Sequence, residues 1–484
     1  MSDLAGSQTT QPHNLGPTAL EQPPCWWCCT CVRKASCKRK TGNLNKNNHT
    51  TNCFIKCLLK LRQHKSVPYI SYMTMRNHEM ATLSDREYFT SYEDLEIHRL
   101  MVGDLPRTTA YQEAINRNKH LFHGKTVMDV GAGTGILSLF AAAAGATKVY
   151  AVEASGTAQL VNKVAKQNGF DEVISVLNCK VEDVELPSGV RIDVMVSEWM
   201  GFYLFHESML NSVLAARDRF LAEDGVMFPS EARLYACPCS LQGLYEEKIT
   251  FWNNVFGFDM SAVGSSVLDA TAKKPEVCVV KQDDLLAQPV CIKTIDLRWV
   301  ETNEITKFSE NTFVSITKRA PYHGLCLWFE CDFNGLDYNE NGDSIGELVT
   351  LSTSPFSAPT HWKQTVVTLG AAGTERSSIG PEDGLQTDHD IADDTIRTKS
   401  KFIEVEEDEV IGWRLEFEQS ESNARHYTIT LQMLDPEEDE HPEPCSCGMA
   451  RCLIIAKLIE NEMQAAAGTK CNPEPVVVEE TAAN

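Results

Sequence analysis

With 484 residues, the chain exceeds what one hydrophobic core usually organises, so two or three domains with extensions are expected. No apolar run approaches the ~18–20 residues that cross a bilayer, and the N-terminus lacks the basic and apolar stretches of a secretory signal, which predicts a reducing, intracellular compartment. Residues 1–75 carry a net charge of +8, so the remainder of the chain carries −31, which gives the total of −23. This acidic body disfavours sequence-independent DNA binding and attracts cationic chains. Plain solubility explains the charge equally well.

Residues 1–75 lack helical or strand periodicity and form a Cys-rich, basic extension that we expect to be disordered. Eleven of the 18 cysteines lie in this extension or in the C-terminal tail, and the spacing of the others predicts no disulfide framework. The cluster Cys25–Cys31 could bind zinc, but its irregular spacing lacks the paired arrangement that is typical of zinc sites. Beside the basic run Lys38–Lys40 it is also compatible with palmitoylation and membrane attachment, and a later translation start, for example at Met73, is a further alternative.

A stretch of helical character precedes the first strand and carries candidate ligand-binding groups. Tyr88 and Tyr92 are spaced i, i+4 and share one helix face. Arg107 follows on the same stretch, and its guanidinium can bind a ligand carboxylate bidentately. An amphipathic helix lying on the core is the alternative for this stretch.

Residues 76–229 alternate short β-branched runs with helical stretches, which predicts a parallel sheet with crossover helices. The alternation reads strand Thr126–Val130, helix Ile136–Ala144, strand Lys148–Val152 and helix Ala158–Asn168. The pattern is typical of a Rossmann-like α/β domain.

The first strand ends at Asp129-Val130 and runs into a glycine turn, with Gly131 and Gly133, that lets the backbone approach a ligand closely. Alone, this turn would suit NAD equally well. The second strand ends at Glu153, where a carboxylate can accept hydrogen bonds from both ribose hydroxyls, and Glu182 follows the third strand, placed to meet an adenine. The spacing of the glycines, together with Glu153, favours S-adenosyl-L-methionine.

Two carboxylates flank an aromatic, glycine-containing turn after the apolar strand Asp193–Val196. They are Glu198 and Glu207, and they lie where substrates bind in open α/β sheets. Glu198 and Glu207 can grip separate edges of a planar guanidinium, so a cationic target is expected.

After Pro229 the chain changes to strands separated by turns, which predicts a β-sandwich or barrel over residues 230–434. The strands are predicted at Glu231–Cys237, Val290–Trp299, Thr312–Thr317, Cys326–Phe333 and His426–Met433. Residues 243–275 form an insertion rich in large apolar side chains that need a partner surface. Residues 371–401 are polar and predict a long surface loop.

Residues 435–484 form an acidic tail with a helix predicted around Leu453–Met463. Cys445, Cys447 and Cys452 lie close together in this tail. Three such cysteines are too few to predict a metal site, so no metal is expected.

These motifs resemble those of the protein arginine N-methyltransferase family. The hairpin with Glu198 and Glu207 looks like the family's double-glutamate loop, and Pro359–Gln364 resembles its Thr-His-Trp loop. Phe251–Ser261 resembles the arm through which family members dimerise. The resemblance implies a Rossmann-like class I S-adenosylmethionine-dependent methyltransferase domain followed by a β-barrel domain with a dimerisation arm, in an enzyme of type I.

The resemblance also implies roles for individual residues. The residues expected to bind the cofactor are Tyr88, Phe89, His98, Arg107, Asp129, Gly131, Gly133, Glu153 and Glu182. The residues expected in catalysis are Glu198 and Glu207 as the guanidinium clamp, with His361 and Asp104 as the proton outlet. The residues expected to bind substrate are Tyr92, Met101, Met209 and Trp362.

Met101 and Met209 occupy positions where type I members carry methionine, which implies monomethylation followed by asymmetric dimethylation. The implied substrates are histones and Gly/Arg-rich RNA-binding proteins. A homodimer in nucleus and cytoplasm is expected, without direct sequence-specific nucleic-acid binding. The alternative is a weakly active homologue that serves as a scaffold or transcriptional co-regulator, whereas a small-molecule methyltransferase would need neither paired carboxylates nor a barrel.

Overall fold

The computed structural model describes residues 85–271, 274–334, 346–369, 403–420 and 423–468. The predictions made for residues 1–75 and 371–401 lie outside the described residues. Among the helices that are described, none is both long and apolar enough to cross a membrane.

The stretch predicted to be helical folds as three helices rather than one. They are α1 Asp85–Ser91, α2 Leu95–Gly103 and α3 Leu105–Arg117. Two aspartates start new helices, because their carboxylates accept hydrogen bonds from backbone N–H groups that have no partner within the helix. Asp94 caps α2 through the N–H of Glu96, and Asp104 caps α3 through the N–H of Arg107.

A five-stranded parallel sheet follows. Its strands are β1 Thr126–Val130, β2 Lys148–Val152, β3 Ile174–Leu177, β4 Ile192–Val196 and β5 Leu221–Phe228, and its main helices are α4 Ile136–Ala143, α5 Ala158–Gln167 and α6 Met209–Phe220. The bounds predicted for β1 and β2 are confirmed, and α4 and α5 end one residue earlier than predicted. The strand order is β3-β2-β1-β4-β5, so it reverses between β1 and β4. Ligands bind at such a switch point, beyond the carboxyl ends of the strands.

The remaining strands are antiparallel and build the barrel-like part of the fold. They are β6 Glu231–Cys239, β7 Glu276–Cys278, β8 Val290–Asp296, β9 Lys307–Ser315, β10 Ala320–Tyr322, β11 Gly324–Phe333, β12 Val349–Ser352, β13 Gln364–Thr368, β14 Ile403–Val405, β15 Val410–Gln419 and β16 Tyr427–Leu434. One sheet has the order β7-β13-β11-β6-β8, with β12 also paired to β11. A second has the order β16-β15-β9, and β10 pairs with β14. The strand predicted at Thr312–Thr317 is the end of the longer β9.

Short helices complete the described chain. Three of them are α7 Gln242–Lys248, α8 Ser261–Thr271 and α9 Thr302–Thr306, and the longer α10 follows at Ala450–Gly468. The predicted insertion at 243–275 is thus helical for most of its length, and the predicted tail helix begins at Ala450 rather than Leu453.

One hydrophobic core joins the parallel and antiparallel sheets. Its aromatic centre is formed by Tyr111 of α3, Phe122, Phe228 of β5 and Phe333 of β11, with neighbouring ring centroids 4.7–6.0 Å apart. All four side chains are fully buried. Burying a side chain of this size contributes about 1.5–3 kcal/mol, so these contacts hold α3 and the end of β5 against β11 of the barrel.

Candidate active site

The glycine turn after β1 packs directly against a residue of the double-glutamate loop. Gly131 has φ +78°, a conformation that residues with a Cβ rarely adopt. A Cβ added to Gly131 would lie 2.2 Å from the Cε of Met209. Similarly, a Cβ on Gly133 would lie 3.3 Å from the ring of His98. Met209 and His98, predicted at the substrate and cofactor sites, therefore meet at this turn.

Asp129 is buried beneath the turn with one carboxylate oxygen unsatisfied. Its Oδ2 accepts a 2.6 Å hydrogen bond from Ser138 Oγ, whereas its Oδ1 has no hydrogen-bond partner in the described chain. Burial raises the pKa of Asp129 to about 7, and the charge of Glu153 adds to this while the bond from Ser138 opposes it. A buried acceptor without a donor favours binding of a cationic or N–H-bearing ligand group.

Glu153 is fixed at the end of β2 by two backbone N–H groups. Its Oε2 accepts from Gly133 at 2.7 Å and its Oε1 accepts from Ser155 at 2.8 Å. A carboxylate offers about four acceptor sites, so each oxygen keeps capacity for a further donor such as a ribose hydroxyl.

Glu198 forms an ion pair with Arg107 of α3. Arg107 Nη2 and Nε lie 2.7 and 3.0 Å from Glu198 Oε2, and the two side chains are only 6% and 10% exposed. Burial alone would lower the pKa of Arg107, but the Glu198 carboxylate raises it above its ordinary value. Both bonds from Arg107 end on Oε2, so the guanidinium engages only one of the two oxygens of the Glu198 carboxylate.

Glu207 is held by two phenols from the start of the described chain. Its Oε2 accepts from Tyr92 Oη at 2.5 Å and from Tyr88 Oη at 3.1 Å. Its backbone has φ +72°, strained for a residue with a side chain, which is a feature that clusters at functional sites. Burial raises the pKa of Glu207, the two phenol bonds oppose this, and the charge of Glu198 adds to it. The Glu207 carboxylate is therefore close enough to Glu198 to be affected by its charge.

Arg425 also belongs to the site, although no feature of the sequence identified it. Its guanidinium carbon lies 3.6 Å from the centroid of the Tyr88 ring, and its Nη1 donates to the backbone oxygen of Glu207 at 3.2 Å. The backbone N–H of Glu207 donates back to the carbonyl of Arg425 at 3.0 Å. Because the loop before β16 is 218 residues distant from Glu207, only the folded chain brings the two together.

The Thr-His-Trp loop docks on the same crevice. Asp104 Oδ2 lies 2.6 Å from His361 Nδ1 and also accepts from the His361 backbone N–H at 2.7 Å. Burial alone would raise the pKa of Asp104, but these bonds and the one from Arg107 hold it below its ordinary value. Trp362 Nε1 donates to the Met200 carbonyl at 2.8 Å, which fixes the loop against the double-glutamate hairpin.

The remaining predicted residues lie around this centre with less direct contacts. The backbone carbonyl of Met101 accepts from Arg107 Nη1 at 3.2 Å. Phe89 is partly buried, 5.5 Å beneath Lys180 Nζ. Glu182 is exposed, and its Oε1 accepts from Ser212 Oγ at 2.6 Å.

These groups match the chemistry of S-adenosyl-L-methionine. The unsatisfied Oδ1 of Asp129 suits an ammonium group and Glu153 suits a ribose, whereas the Arg107 guanidinium, expected to bind the cofactor carboxylate, is paired with Glu198 in this structure. The absence of a side chain at Gly131 leaves the backbone of the turn open to close approach by such a ligand.

Comparison with known proteins gives matches over the same parts of the chain. Residues 127–225 match a family model described as a methyltransferase domain, and residues 230–376 match the arginine methyltransferase oligomerization subdomain. Human "Protein arginine N-methyltransferase 2" is 42% identical over 287 residues, which cover 59% of this chain and 64% of that protein. The solved "Trypanosoma brucei PRMT1 enzyme-prozyme heterotetrameric complex with AdoHcy" is 31% identical with a TM-score of 0.58, covering 73% of this chain and 98% of that one.

The match to a plant relative covers more of this chain than the match to the human protein. "Probable protein arginine N-methyltransferase 6.1" of Oryza sativa subsp. japonica is 37% identical over 364 residues, which cover 72% of this chain and 85% of the rice protein. The fold and the family expected from the motifs are confirmed. Identity at this level over most of a relative's length, with the double-glutamate hairpin folded at the switch point of the sheet, shows that this chain belongs to the protein arginine N-methyltransferase family.

Proposed function

We propose that this enzyme methylates arginine side chains of other proteins at the crevice between β1 and β4, giving monomethylarginine and then asymmetric dimethylarginine. Its cofactor is S-adenosyl-L-methionine, which supplies a methyl group already activated on a sulfonium. The observation that carries the proposal is the pair of carboxylates, Glu198 and Glu207, each held by its own partners at one end of the sheet.

The proposed clamp answers a specific chemical difficulty. An arginine substrate arrives protonated, because its pKa is above ~12, and its guanidinium has no free lone pair. Glu198 and Glu207 accept hydrogen bonds from separate edges of the guanidinium and draw positive charge toward the bound nitrogens. The remaining nitrogen is then presented to the methyl group, and correct positioning alone accounts for up to roughly 7–11 kcal/mol of the barrier. Rate enhancement comes from positioning and electrostatics rather than from a strong base.

His361 is proposed to receive the proton released after transfer. Asp104 is held ionised, so it only accepts, and His361 Nδ1 must carry the hydrogen in their 2.6 Å bond. The neutral ring then has its lone pair on Nε2, which can take up a proton. The Asp104 carboxylate stabilises the imidazolium that results.

Two methionines and the charge of the chain support the asymmetric product and the substrate class. Met101 and Met209 match the type I pattern, and Met209 lies against the cofactor turn at Gly131. The whole-chain charge of −23 favours basic substrates such as histones and Gly/Arg-rich RNA-binding proteins. We place the enzyme in nucleus and cytoplasm, which microscopy of a fluorescent fusion would test.

A homodimer is proposed through the arm formed by residues 243–275. Three of its aromatic side chains, Phe251, Phe256 and Phe258, are 56%, 98% and 73% exposed. Exposed aromatic residues this close together favour an interface. The match of residues 230–376 to the oligomerization subdomain supports this assignment.

The proposal is tested by a radiolabelled methyl-transfer assay on histones and a Gly/Arg-rich peptide. Mass spectrometry and chromatography then identify the modified arginine. Asymmetric dimethylarginine that disappears in Glu198→Gln is the expected result. Symmetric dimethylarginine would contradict the product type alone, whereas no transfer despite measurable cofactor binding would favour the scaffold or co-regulator alternative.

A further inference from the structure

The segment that follows β16 folds back on the barrel and gathers four side chains that the proposed reaction does not use. They are His441, Cys445, Cys447 and Cys452, and their ligand atoms all lie within 4.8 Å of one another. The three cysteines are buried and His441 is partly buried. We propose that this cluster is a structural zinc site with three thiolate ligands and one imidazole ligand.

The distances match tetrahedral zinc. His441 Nδ1 lies 3.4, 3.5 and 3.1 Å from the Sγ atoms of Cys445, Cys447 and Cys452. With Zn–S near 2.3 Å and Zn–N near 2.0–2.1 Å, the sulfur-to-nitrogen edge of a tetrahedron is about 3.6 Å. Four ligands close the coordination sphere, as in structural rather than catalytic sites.

The histidine is already oriented as a ligand. His441 Nε2 lies 3.0 Å from the carbonyl oxygen of Pro436, an acceptor, so Nε2 carries the hydrogen. In the neutral ring, Nδ1 then directs a lone pair toward the three sulfurs. Metal-bound histidines are usually fixed in this way by a carbonyl or carboxylate on the other nitrogen.

Hydrogen bonds to His441 alone do not account for the cluster. One Nδ1 lone pair cannot accept from three thiols at once, yet all three Sγ atoms lie within 3.5 Å of it. A cation at their centre satisfies all four groups together. Three soft thiolates with an imidazole select zinc over calcium or magnesium, which take oxygen ligands.

The surrounding packing holds the imidazole in place. The His441 ring stacks on Phe313 of β9 with centroids 3.6 Å apart and planes 9° apart. Phe313 in turn lies over Gly412 of β15, where an added Cβ would fall 2.3 Å from the ring. Beyond Phe313 and Leu434, the buried apolar contacts of this segment come from the cysteines themselves. So small a cluster gives little hydrophobic stabilisation, and a metal would anchor the segment and the first turn of α10.

The test uses the full chain expressed with zinc and purified without chelator. We expect about one zinc per chain attributable to this site, and cobalt substitution should give the thiolate-to-metal charge-transfer absorption of a tetrahedral centre. The double variant His441→Ala/Cys447→Ser should lose that zinc and unfold at a lower temperature. Cys291→Ser, which removes an exposed thiol elsewhere, is the matched control and should keep it.

Two further variants make the result decisive. One variant replaces the N-terminal cysteines Cys25, Cys28, Cys29 and Cys31 with serine and should keep zinc at the proposed site. It distinguishes this zinc from any metal that the N-terminal cysteines bind. His441→Cys should retain zinc in a four-cysteine site. This variant still tests the proposed zinc site if the double variant fails to fold. The proposal is overturned if the wild type shows no zinc and no cobalt charge-transfer band. It is equally overturned if zinc is unchanged in the double variant, or if freshly purified protein holds two of the three cysteines in a disulfide.

Discussion

Tyr92→Phe should move the pH dependence of methyl transfer. Tyr92 Oη donates to Glu207 Oε2 at 2.5 Å, the shorter of the two phenol bonds to this carboxylate. Burial raises the pKa of Glu207, and the Tyr92 bond is the largest effect that opposes it. Phenylalanine keeps the ring and removes only the hydroxyl. The pKa of Glu207 should therefore rise further.

The size of the shift follows from the strength of the lost bond. A hydrogen bond to a charged group contributes about 1.5–3 kcal/mol, and one pKa unit corresponds to about 1.36 kcal/mol. The pKa of Glu207 should rise by roughly one to two units. Only the ionised carboxylate can bind a guanidinium, so activity falls as Glu207 is protonated at low pH. In the variant this loss on acidification should begin at a correspondingly higher pH.

The measurement is kcat/KM for a peptide substrate across the pH range, since its acid limb reports the pKa of the free enzyme. Tyr88→Phe, which removes the longer 3.1 Å bond, should shift the acid limb less. Tyr235→Phe on β6, whose ring stacks on Trp328, serves as the control. An acid limb in Tyr92→Phe that coincides with wild type would refute the assignment of Glu207 as the ionised clamp.

Three further changes have distinct expected results. Glu198→Gln should lower kcat by about 10²–10³-fold while calorimetry finds cofactor affinity near wild type; retained transfer would remove Glu198 from the clamp. Asp129→Asn should flatten the pH dependence of stability. The raised folded pKa of Asp129, about 7, means that its stabilising contribution is present below the unfolded value of 3.8 and is lost as pH rises through 7; thermal melts of the variant with the wild-type slope would contradict this. Phe256→Asp combined with Phe258→Asp should give monomers by light scattering, and an unchanged mass would exclude the arm as the interface.

Much of the methyltransferase half could be predicted because its signals are local. The strand carrying Asp129 and the glycine turn at Gly131 follow from a run of β-branched residues and from a backbone that only glycine adopts easily. Glu153 follows from its place at the end of the next strand. Each of these signals spans a few neighbouring residues, so no knowledge of packing is needed.

Contacts between distant segments could not be predicted in this way. Asp104 and His361 are 257 residues apart, and the bond between them came from a family resemblance rather than from any pattern in the chain. Arg425 was missed altogether, because a lone arginine in a loop gives no sign that it will stack on Tyr88. The same is true of the Arg107–Glu198 pair, whose members were each expected to bind a ligand but not each other.

The sequence by itself determined the family, the parallel sheet and the two glutamates, since periodicity, turn chemistry and motif spacing are written in consecutive residues. Tertiary structure alone decided what surrounds them. In the tail, His441 precedes Cys445 by only four residues, but nothing in the sequence shows that its ring stacks on Phe313 with Nδ1 beside the three sulfurs. The packing of one strand's ring against another segment's imidazole depends on sheet register and barrel shape, which no short stretch of sequence encodes.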